Sequence, residues 1–241
     1  MRRKIQFIAV VALAGIAANS VSAQVLQEDF ANVPGLAKAG WVFQNNSDPQ
    51  PATNGDWAQG DTSVFYDRTS VDNSYISASY QSVGEPGGTI SNWLLTPTIP
   101  LANGDKIQFY TRTVDALAFP DRLETRLSLS GNSSNVGTTA ASVGDFTDLL
   151  LTINPNLQNG SANYPTTFTQ FDITLSGLPA GAALGRIGFR YFVPDAGTFG
   201  TNGNYIGLDS LTVTAVPEPG AAWILGIGSC ALGAGLRRRR R

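Results

Sequence analysis

The sequence predicts an all-β protein in which residues 24–215 fold as a single two-layer β-sandwich, with a short apolar segment on either side of it. Three observations lead to this fold class. Apolar and polar side chains alternate with a period of two along several stretches. Turn-forming dipeptides separate those stretches, and only 14% of the 241 residues are charged while 26 are glycine. A body of this length is ordinary for one all-β domain.

The strands are predicted from four clear runs of alternation, at 107–111, 122–129, 167–175 and 187–193. In the second run Leu123 and Leu127 share one face, while Glu124 and Arg126 take the other. Asn-Gly pairs mark turns at 54–55, 103–104, 159–160 and 202–203. We expect roughly ten to twelve short strands in the sandwich. The small polar residues 131–145 are predicted to form a mobile surface loop.

Missing residue types exclude several kinds of chemistry. The chain has no histidine, which removes the commonest general base, the usual triad member and the usual transition-metal ligand. Its single cysteine, Cys230, lies in the carboxyl-terminal apolar segment, so no disulfide can form within the chain. The body has no Gly-x-Ser-x-Gly elbow or phosphate-binding loop. We therefore expect a protein that is not an enzyme; a glycoside-active enzyme with paired carboxylates is the remaining catalytic alternative.

Charge is distributed unevenly along the chain. The net charge of −2 includes three basic residues near the start and five at the end. The body between them has eight basic and 17 acidic residues, a net charge of about −9. An acidic body repels phosphate backbones, so we expect no nucleic-acid partner. The acidity suits cation binding or simple solubility.

Residues 1–23 have the pattern of a secretory signal peptide. Basic residues at 2–4 precede an apolar run at 5–18, and the small residues Ser22 and Ala23 end the segment. Cleavage is expected before Gln24. The alternatives are an N-terminal membrane anchor or a buried helix, but the apolar run is short for a span.

The carboxyl terminus holds a second, marginal apolar segment. Residues 221–236 would form a helix of about 24 Å, short of the ~30 Å hydrocarbon core of a bilayer. Four glycines in it weaken the helix further. The basic run that follows would stop in the cytoplasm and leave the body outside the inner membrane; it consists of Arg237, Arg238, Arg239, Arg240 and Arg241.

Just before that segment stand Val216, Pro217, Glu218 and Pro219. This motif, a short glycine-rich apolar helix and a final arginine cluster together resemble the PEP-CTERM sorting signal of Gram-negative bacteria, over residues 216–241. The resemblance implies a membrane-bound precursor, cleavage near the motif by an exosortase, and delivery to the cell surface or the exopolysaccharide matrix. Both prolines disfavour helix, which keeps the motif extended for a protease. A plain tail anchor is the alternative.

The body carries a second resemblance. Glu28-Asp29-Phe30 closes a first strand, Gly40-Trp41 follows, residues 91–97 read SNWLLTP, and residues 205–211 read YIGLDSL. This succession is similar to the choice-of-anchor J domain, a relative of the cleaved-adhesin and MAM-type jelly rolls, over about residues 25–214. It implies a jelly-roll sandwich that pairs its first and last strands. Related jelly rolls often hold a structural calcium ion there.

The resemblance makes Glu28, Asp29 and Asp209 candidate calcium ligands. The alternation of apolar residues along the last strand shifts by one position at Asp209-Ser210. This predicts a β-bulge, which would change the direction of a side chain there. Carboxylate and backbone oxygens suit the hard, flexible coordination shell of calcium. The alternative is that these acids are solvated or accept backbone hydrogen bonds at strand ends.

Tryptophans are candidates for stacking on sugar rings. Trp41 and Trp93 stand in apolar surroundings and are predicted to be core residues. Trp57 lies in the polar segment 48–61, so it is the best candidate for an exposed ligand-binding ring, the alternative being no ligand at all.

These observations favour an exported surface or extracellular-matrix protein with a non-catalytic adhesive sandwich. The alternative is a carbohydrate-binding module that retains the protein in exopolysaccharide. The expected partners are exosortase and the secretion machinery, exopolysaccharide or surface glycans, and the inner membrane in transit.

Overall fold

A computed structural model describes residues 23–53, 55–70, 72–114 and 118–216. Within these residues the chain forms strands and two short 3-10 helices, Val33–Ala39 and Tyr80–Ser82. The strands are β1 (Ala23–Glu28), β2 (Val42–Asn45), β3 (Ala58–Gln59), β4 (Ile76–Ser79), β5 (Gly88–Leu95), β6 (Ile99–Leu101), β7 (Lys106–Thr113), β8 (Leu123–Ser128), β9 (Asp148–Ile153), β10 (Thr169–Thr174), β11 (Ala183–Ala196) and β12 (Tyr205–Ala215).

The strands form two antiparallel sheets. The first has the order β10-β7-β12-β4-β3, and β1 adds to the later half of β12. The second has the order β2-β5-β11-β8-β9, and β6 adds to the start of β11. The prediction of an all-β protein with a jelly-roll-type sandwich is confirmed, and the described part forms one compact unit, Ala23–Val216.

The core lies between the two sheets and follows the predicted alternation. Burial in β7 alternates residue by residue, with Ile107 and Phe109 pointing inward. The ring of Phe109 meets Phe189 of the opposite sheet edge to face, with centroids 5.1 Å apart. Each fully buried side chain of this size contributes about 1.5–3 kcal/mol, so the inner faces dominate the stability of the fold. Trp41 and Trp93 are buried, as predicted.

The last strand contains the predicted irregularity. Its register with β7 shifts between Asp209 and Thr212, and Ser210 takes a φ of 51° in the left-handed region. The bulge turns the side chains after Ser210 back toward the core. Leu208 before it and Leu211 after it are therefore both fully buried. The first and last strands also pair, with Ala23 opposite Ala215.

This pairing defines two ends of the sandwich. The chain enters and leaves at neighbouring positions, which we call the terminal end. The opposite end, which we call the loop end, consists of residues 80–87, 118–121, 154–168 and 197–204. β12 runs from the loop end to the terminal end, a distance of roughly 30 Å at ~3.3 Å per residue.

The prediction of a mobile loop at 131–145 is wrong. Val136 is buried and Ala140 nearly so, and both lie in a segment that covers the outer face of the second sheet. Gly188 allows this, because a Cβ there would stand 3.0 Å from the ring of Phe146. The segment is small and polar in sequence, but its few apolar residues anchor it to the sheet.

The proposed signal helix (1–23) and the carboxyl-terminal transmembrane helix lie, apart from Ala23, outside the described residues. Within the part of the chain that the structure describes, no helix has the length and apolar character needed to cross a bilayer.

Candidate functional site

The three candidate calcium ligands each accept a hydrogen bond from a backbone amide, and the calcium site stays a prediction. Glu28 accepts a hydrogen bond from the Phe30 amide at 2.9 Å, and Asp29 accepts one from the Ala31 amide at 3.1 Å. The Asp209 carboxylate instead accepts a hydrogen bond from the Arg68 backbone amide at 3.0 Å. Among the residues described, no three His, Cys, Asp or Glu side chains are grouped to hold a metal ion. The geometry matches the alternative, in which each carboxylate caps nearby backbone.

Burial raises the pKa of both Glu28 and Asp209. For Glu28 the burial effect is opposed by the Phe30 amide, and for Asp209 it is opposed by the Arg68 amide. The cause is therefore loss of solvent around carboxylates that hold backbone in place.

Trp57 is not the exposed ring that the sequence suggested. Only 3% of it is accessible, and its indole Nε1 donates a hydrogen bond to the Asn92 carbonyl at 3.2 Å. The polar segment around it is held down, since the Asn92 side-chain amide donates to the carbonyl of Gly55 at 2.9 Å. Trp57 therefore fills the core and has no face free for a sugar.

The outer face of the second sheet is occupied by the chain itself. Trp93 and Arg190 lie side by side on neighbouring strands, and the guanidinium stacks 3.6 Å from the ring centroid of Phe192. Arg190 also donates to Glu124 at 3.2 Å and to the carbonyl of Ala140 in the covering segment. Burial lowers the pKa of Arg190 to about 10, with Glu124 opposing the shift. This cluster fastens the covering segment and offers no open platform.

The outer face of the first sheet has polar side chains that satisfy one another. The Tyr110 hydroxyl donates to Gln170 at 2.6 Å, and Gln108 donates to Asp172 at 2.8 Å. The guanidinium of Arg68 covers the Tyr110 ring at 4.7 Å. The face is ordered, but its aromatic surface is already in contact with a cation.

The loop end carries three aromatic rings that reach into solvent. Phe199 is 78% exposed, Phe119 is 47% exposed and Tyr80 is 37% exposed. They stand on three neighbouring connections, 197–204, 118–121 and 80–87. Phe119 has a φ of 63°, an uncommon backbone conformation for a bulky residue. Exposed rings on held loops are typical of interaction surfaces.

A buried carboxylate organises the loop end. Asp121 accepts hydrogen bonds from the Tyr191 hydroxyl at 2.5 Å, the Thr113 hydroxyl at 2.5 Å and the Asn204 amide at 2.7 Å. Burial raises the pKa of Asp121, and these three donors oppose the shift. Two connections are thereby tied to the rigid strands β7 and β11.

Direct contacts between the connections complete the arrangement. The Gly203 amide donates to the Pro120 carbonyl at 3.0 Å, and the Tyr80 amide donates to the Asn204 carbonyl at 2.7 Å. On the other side, the Asn154 side chain donates to the Asp121 carbonyl at 2.9 Å. The four segments of the loop end therefore form a continuous row.

An open groove borders this row at the edge of the sandwich. It has a volume of about 490 Å³ and lies where β9 and β10 meet the connection between them. Its lining carries hydroxyl, amide and apolar groups and no charge, and includes Thr152, Asn154, Ser161, Asn163 and Phe171. A smaller cavity of about 20 Å³ lies between Phe119 and Tyr164, next to Asp121.

Only Val216 of the predicted sorting motif lies within the described residues, at the terminal end. Val216 is the last described residue, and its amide donates to the Asp105 carboxylate at 3.1 Å. Pro217, Glu218, Pro219 and the five terminal arginines lie outside the described residues.

Comparisons with known proteins place the chain among adhesin-like β-sandwiches. It is similar to the K1 cleaved adhesin domain of Lys-gingipain from Porphyromonas gingivalis W83, with 25% identity, a TM-score of 0.53 and coverage of 80% of this chain and 99% of that domain. The K3 cleaved adhesin domain of the same protein has 23% identity and a TM-score of 0.48, covering 80% and 99%. A xylan-binding module, CBM15, has 15% identity and a TM-score of 0.41, covering 83% and 99%.

No family model matches the chain, and no curated protein sequence matches it. Neither the PEP-CTERM nor the choice-of-anchor J resemblance is therefore confirmed at the level of family. The class that the fold defines is an adhesin-like β-sandwich.

The sequence analysis did not identify the residues of the loop end as candidate functional residues. Phe199 sits between glycines in Gly197-Thr198-Phe199-Gly200, outside any strand alternation, and that position was a usable signal for an exposed ring. Asp121 follows a proline immediately before a strand. Its burial depends on partners between 8 and 83 positions away, so no local pattern predicts it.

Proposed function

We propose that this chain is an exported surface or extracellular-matrix protein whose sandwich is a non-catalytic adhesive domain. The observation that carries the proposal is the similarity to the K1 cleaved adhesin domain, which extends over nearly all of that domain. The exposed rings of the loop end support an interaction role, because they have no evident part in folding.

The export route is also part of the proposal. The signal at 1–23 takes the chain to the inner membrane through the secretion machinery, and an exosortase cleaves the 216–241 segment near its Pro-Glu-Pro motif. The pairing of Ala23 with Ala215 supports this, because both processing points then lie at the terminal end, away from the loop end. In this proposal the precursor is membrane-bound, and the final location is the surface or the exopolysaccharide matrix of a Gram-negative bacterium.

Intact-mass analysis of surface material tests the sorting step. The expected mass corresponds to a chain that begins at Gln24 and lacks residues 237–241. A parallel strain without exosortase should keep those residues and hold the chain in the inner membrane. Surface material that still ends in the five arginines contradicts sorting and favours a tail anchor.

A second candidate function is retention in exopolysaccharide by carbohydrate binding. The specific observation in its favour is the uncharged groove beside exposed aromatic rings. Sites of 300–1,000 Å³ with a few polar groups are typical of small-molecule recognition, and the groove is within that range.

A further inference from the structure

We propose that the loop end binds an extended neutral polysaccharide, held mainly on the rings of Phe199 and Phe119. The inference deepens the adhesive function proposed above and rests on it. It assigns the adhesive contact to a particular end of the sandwich and to a chemical class of ligand.

Both rings are displayed to solvent, and one of them stands on strained backbone. Phe199 exposes 78% of its surface in a turn whose Gly197 has a φ of 103°. Phe119 keeps a positive φ, which a bulky residue seldom adopts. A strained, solvent-facing phenylalanine points to a role outside the fold.

The connections that bear the rings are also held in position before any ligand arrives. Asp121 fixes the connection that bears Phe119, and it also binds the amide of Asn204 at the end of the Phe199 connection. The hydrogen bond between Gly203 and Pro120 joins the two connections directly. Preorganised aromatic surface loses little conformational freedom on binding, which favours affinity.

Charge selects the class of ligand. The four segments of the loop end contain no lysine or arginine, and they contain the acids Glu85 and Asp121. Arg122, next along the chain, is already engaged by the carbonyls of Phe192 and Pro155. Anionic lipids, nucleic acids and acidic polysaccharides find no cation here and meet an acidic body. A neutral ligand is not repelled by the acidic body.

Shape and lining favour a sugar polymer among neutral ligands. Tyr80, Phe199 and Phe119 lie on successive connections, and the uncharged groove continues the row beyond Asn154. A row of this kind matches an extended chain. Its hydroxyl and amide groups can hydrogen-bond sugar hydroxyls, while ring faces pack against the apolar faces of pyranose units.

The test measures retention of the processed protein, produced from the complete chain with its own signals and recovered from the cell surface. Affinity electrophoresis uses gels that contain β-1,4-glucan, β-1,3-glucan, xylan, mannan or galactan, with alginate as the acidic comparison. We expect retardation by at least one neutral polymer and not by alginate. The variant F119A/F199A should bind roughly tenfold more weakly or worse.

Matched variants separate this site from other exposed apolar surface. Leu184 is 59% exposed on β11 near the terminal end, so Leu184→Ala should leave retardation unchanged. Phe199→Trp keeps an aromatic face and should preserve binding. Unchanged far-ultraviolet circular dichroism and unfolding midpoints confirm that the variants are folded.

Two outcomes overturn the inference. If F119A/F199A is retarded as strongly as the natural chain, the two rings are not the binding site. If only alginate, or no polymer in the series, retards the natural chain, the ligand is not a neutral polysaccharide of this series. Cell attachment distinguishes these failures from failure of the adhesive function. If cells that produce the chain still attach better than cells that lack it, adhesion stands and only the glycan inference is lost.

Discussion

Asp121 is a buried carboxylate whose charge costs free energy in the folded state. Its pKa is raised by burial above the value near 3.9 that an unfolded chain shows. Between those two pKa values the folded protein keeps a proton that the unfolded chain has lost. The contribution of Asp121 to the free energy of unfolding therefore decreases as pH rises above about 4, by up to ~1.4 kcal/mol per pH unit.

The substitution Asp121→Asn isolates this effect. Its amide oxygen can still accept from Tyr191 and Asn204, and its amino group can donate to the Thr113 oxygen, whose hydroxyl then donates to the Tyr205 carbonyl. Urea unfolding from pH 4 to pH 8 should show the variant gaining stability relative to the natural chain as pH rises. A difference that does not vary with pH is evidence against the raised pKa.

The burial of Trp57 predicts that its removal affects stability and not ligand binding. Because its ring is buried and bonded to Asn92, Trp57→Ala should lower the free energy of unfolding by about 3–5 kcal/mol. Tyr66, which is 52% exposed, serves as the control, and Tyr66→Ala should change stability by less than ~0.5 kcal/mol. Chemical denaturation measures both; similar small losses in the two variants would show that Trp57 is not a core residue.

Local sequence predicted strand positions and core tryptophans but misplaced exposure in polar segments. Trp41 and Trp93 stand in apolar surroundings, and their burial follows from that pattern. Trp57 follows seven polar or small residues, and its burial depends on Asn92, which accepts from the indole and donates to the Gly55 carbonyl and to the Ser82 hydroxyl. Those partners are distant in sequence, so composition alone indicated a solvated loop.

At the scale of elements, the segment that covers the second sheet behaves as part of the core. Arg190 is central to it, because it stacks on Phe192, binds Glu124 and donates to Ala140. Arg190→Met should destabilise the protein by about 3–5 kcal/mol, since Glu124 then lies buried with one cation fewer. Equilibrium unfolding measures the loss.

Hydrogen exchange adds a local measurement to this prediction. Amides at 135–146, including Asp145 bonded to the Asn135 carbonyl, should exchange slowly in the natural chain and faster in Arg190→Met. Arg68 is exposed, and Arg68→Met should leave both stability and exchange in this segment nearly unchanged. Rapid exchange in the natural chain would restore the view of 131–145 as a mobile loop.

The bulge in β12 shows what the sequence could predict about an element. The change of parity at Asp209-Ser210 indicated an extra residue, and the register shift confirms it. The consequence for Asp209 was not predictable, because the side chain turns to Arg68, 141 positions away in the chain, and not to the first strand. Strand pairing follows from pattern, but the direction of one side chain depends on distant packing.

For the molecule as a whole, the two ends of the sandwich have different features. Ala23 and Val216 lie at one end of the sandwich, and the exposed rings stand at the other. An adhesive domain attached through its terminal end would point those rings away from the cell. The acidic body, near −9 in net charge, adds a general repulsion of anionic surfaces, which favours contact with neutral ligands at the loop end.

Attachment of living cells to a polysaccharide-coated surface under flow decides whether the chain is adhesive. Four strains are compared: one with the natural chain, one without it, one with F119A/F199A and one with Leu184→Ala. We predict that loss of the chain and loss of the two rings reduce attachment to a similar extent, while Leu184→Ala attaches normally. Equal attachment with and without the chain would contradict an adhesive role.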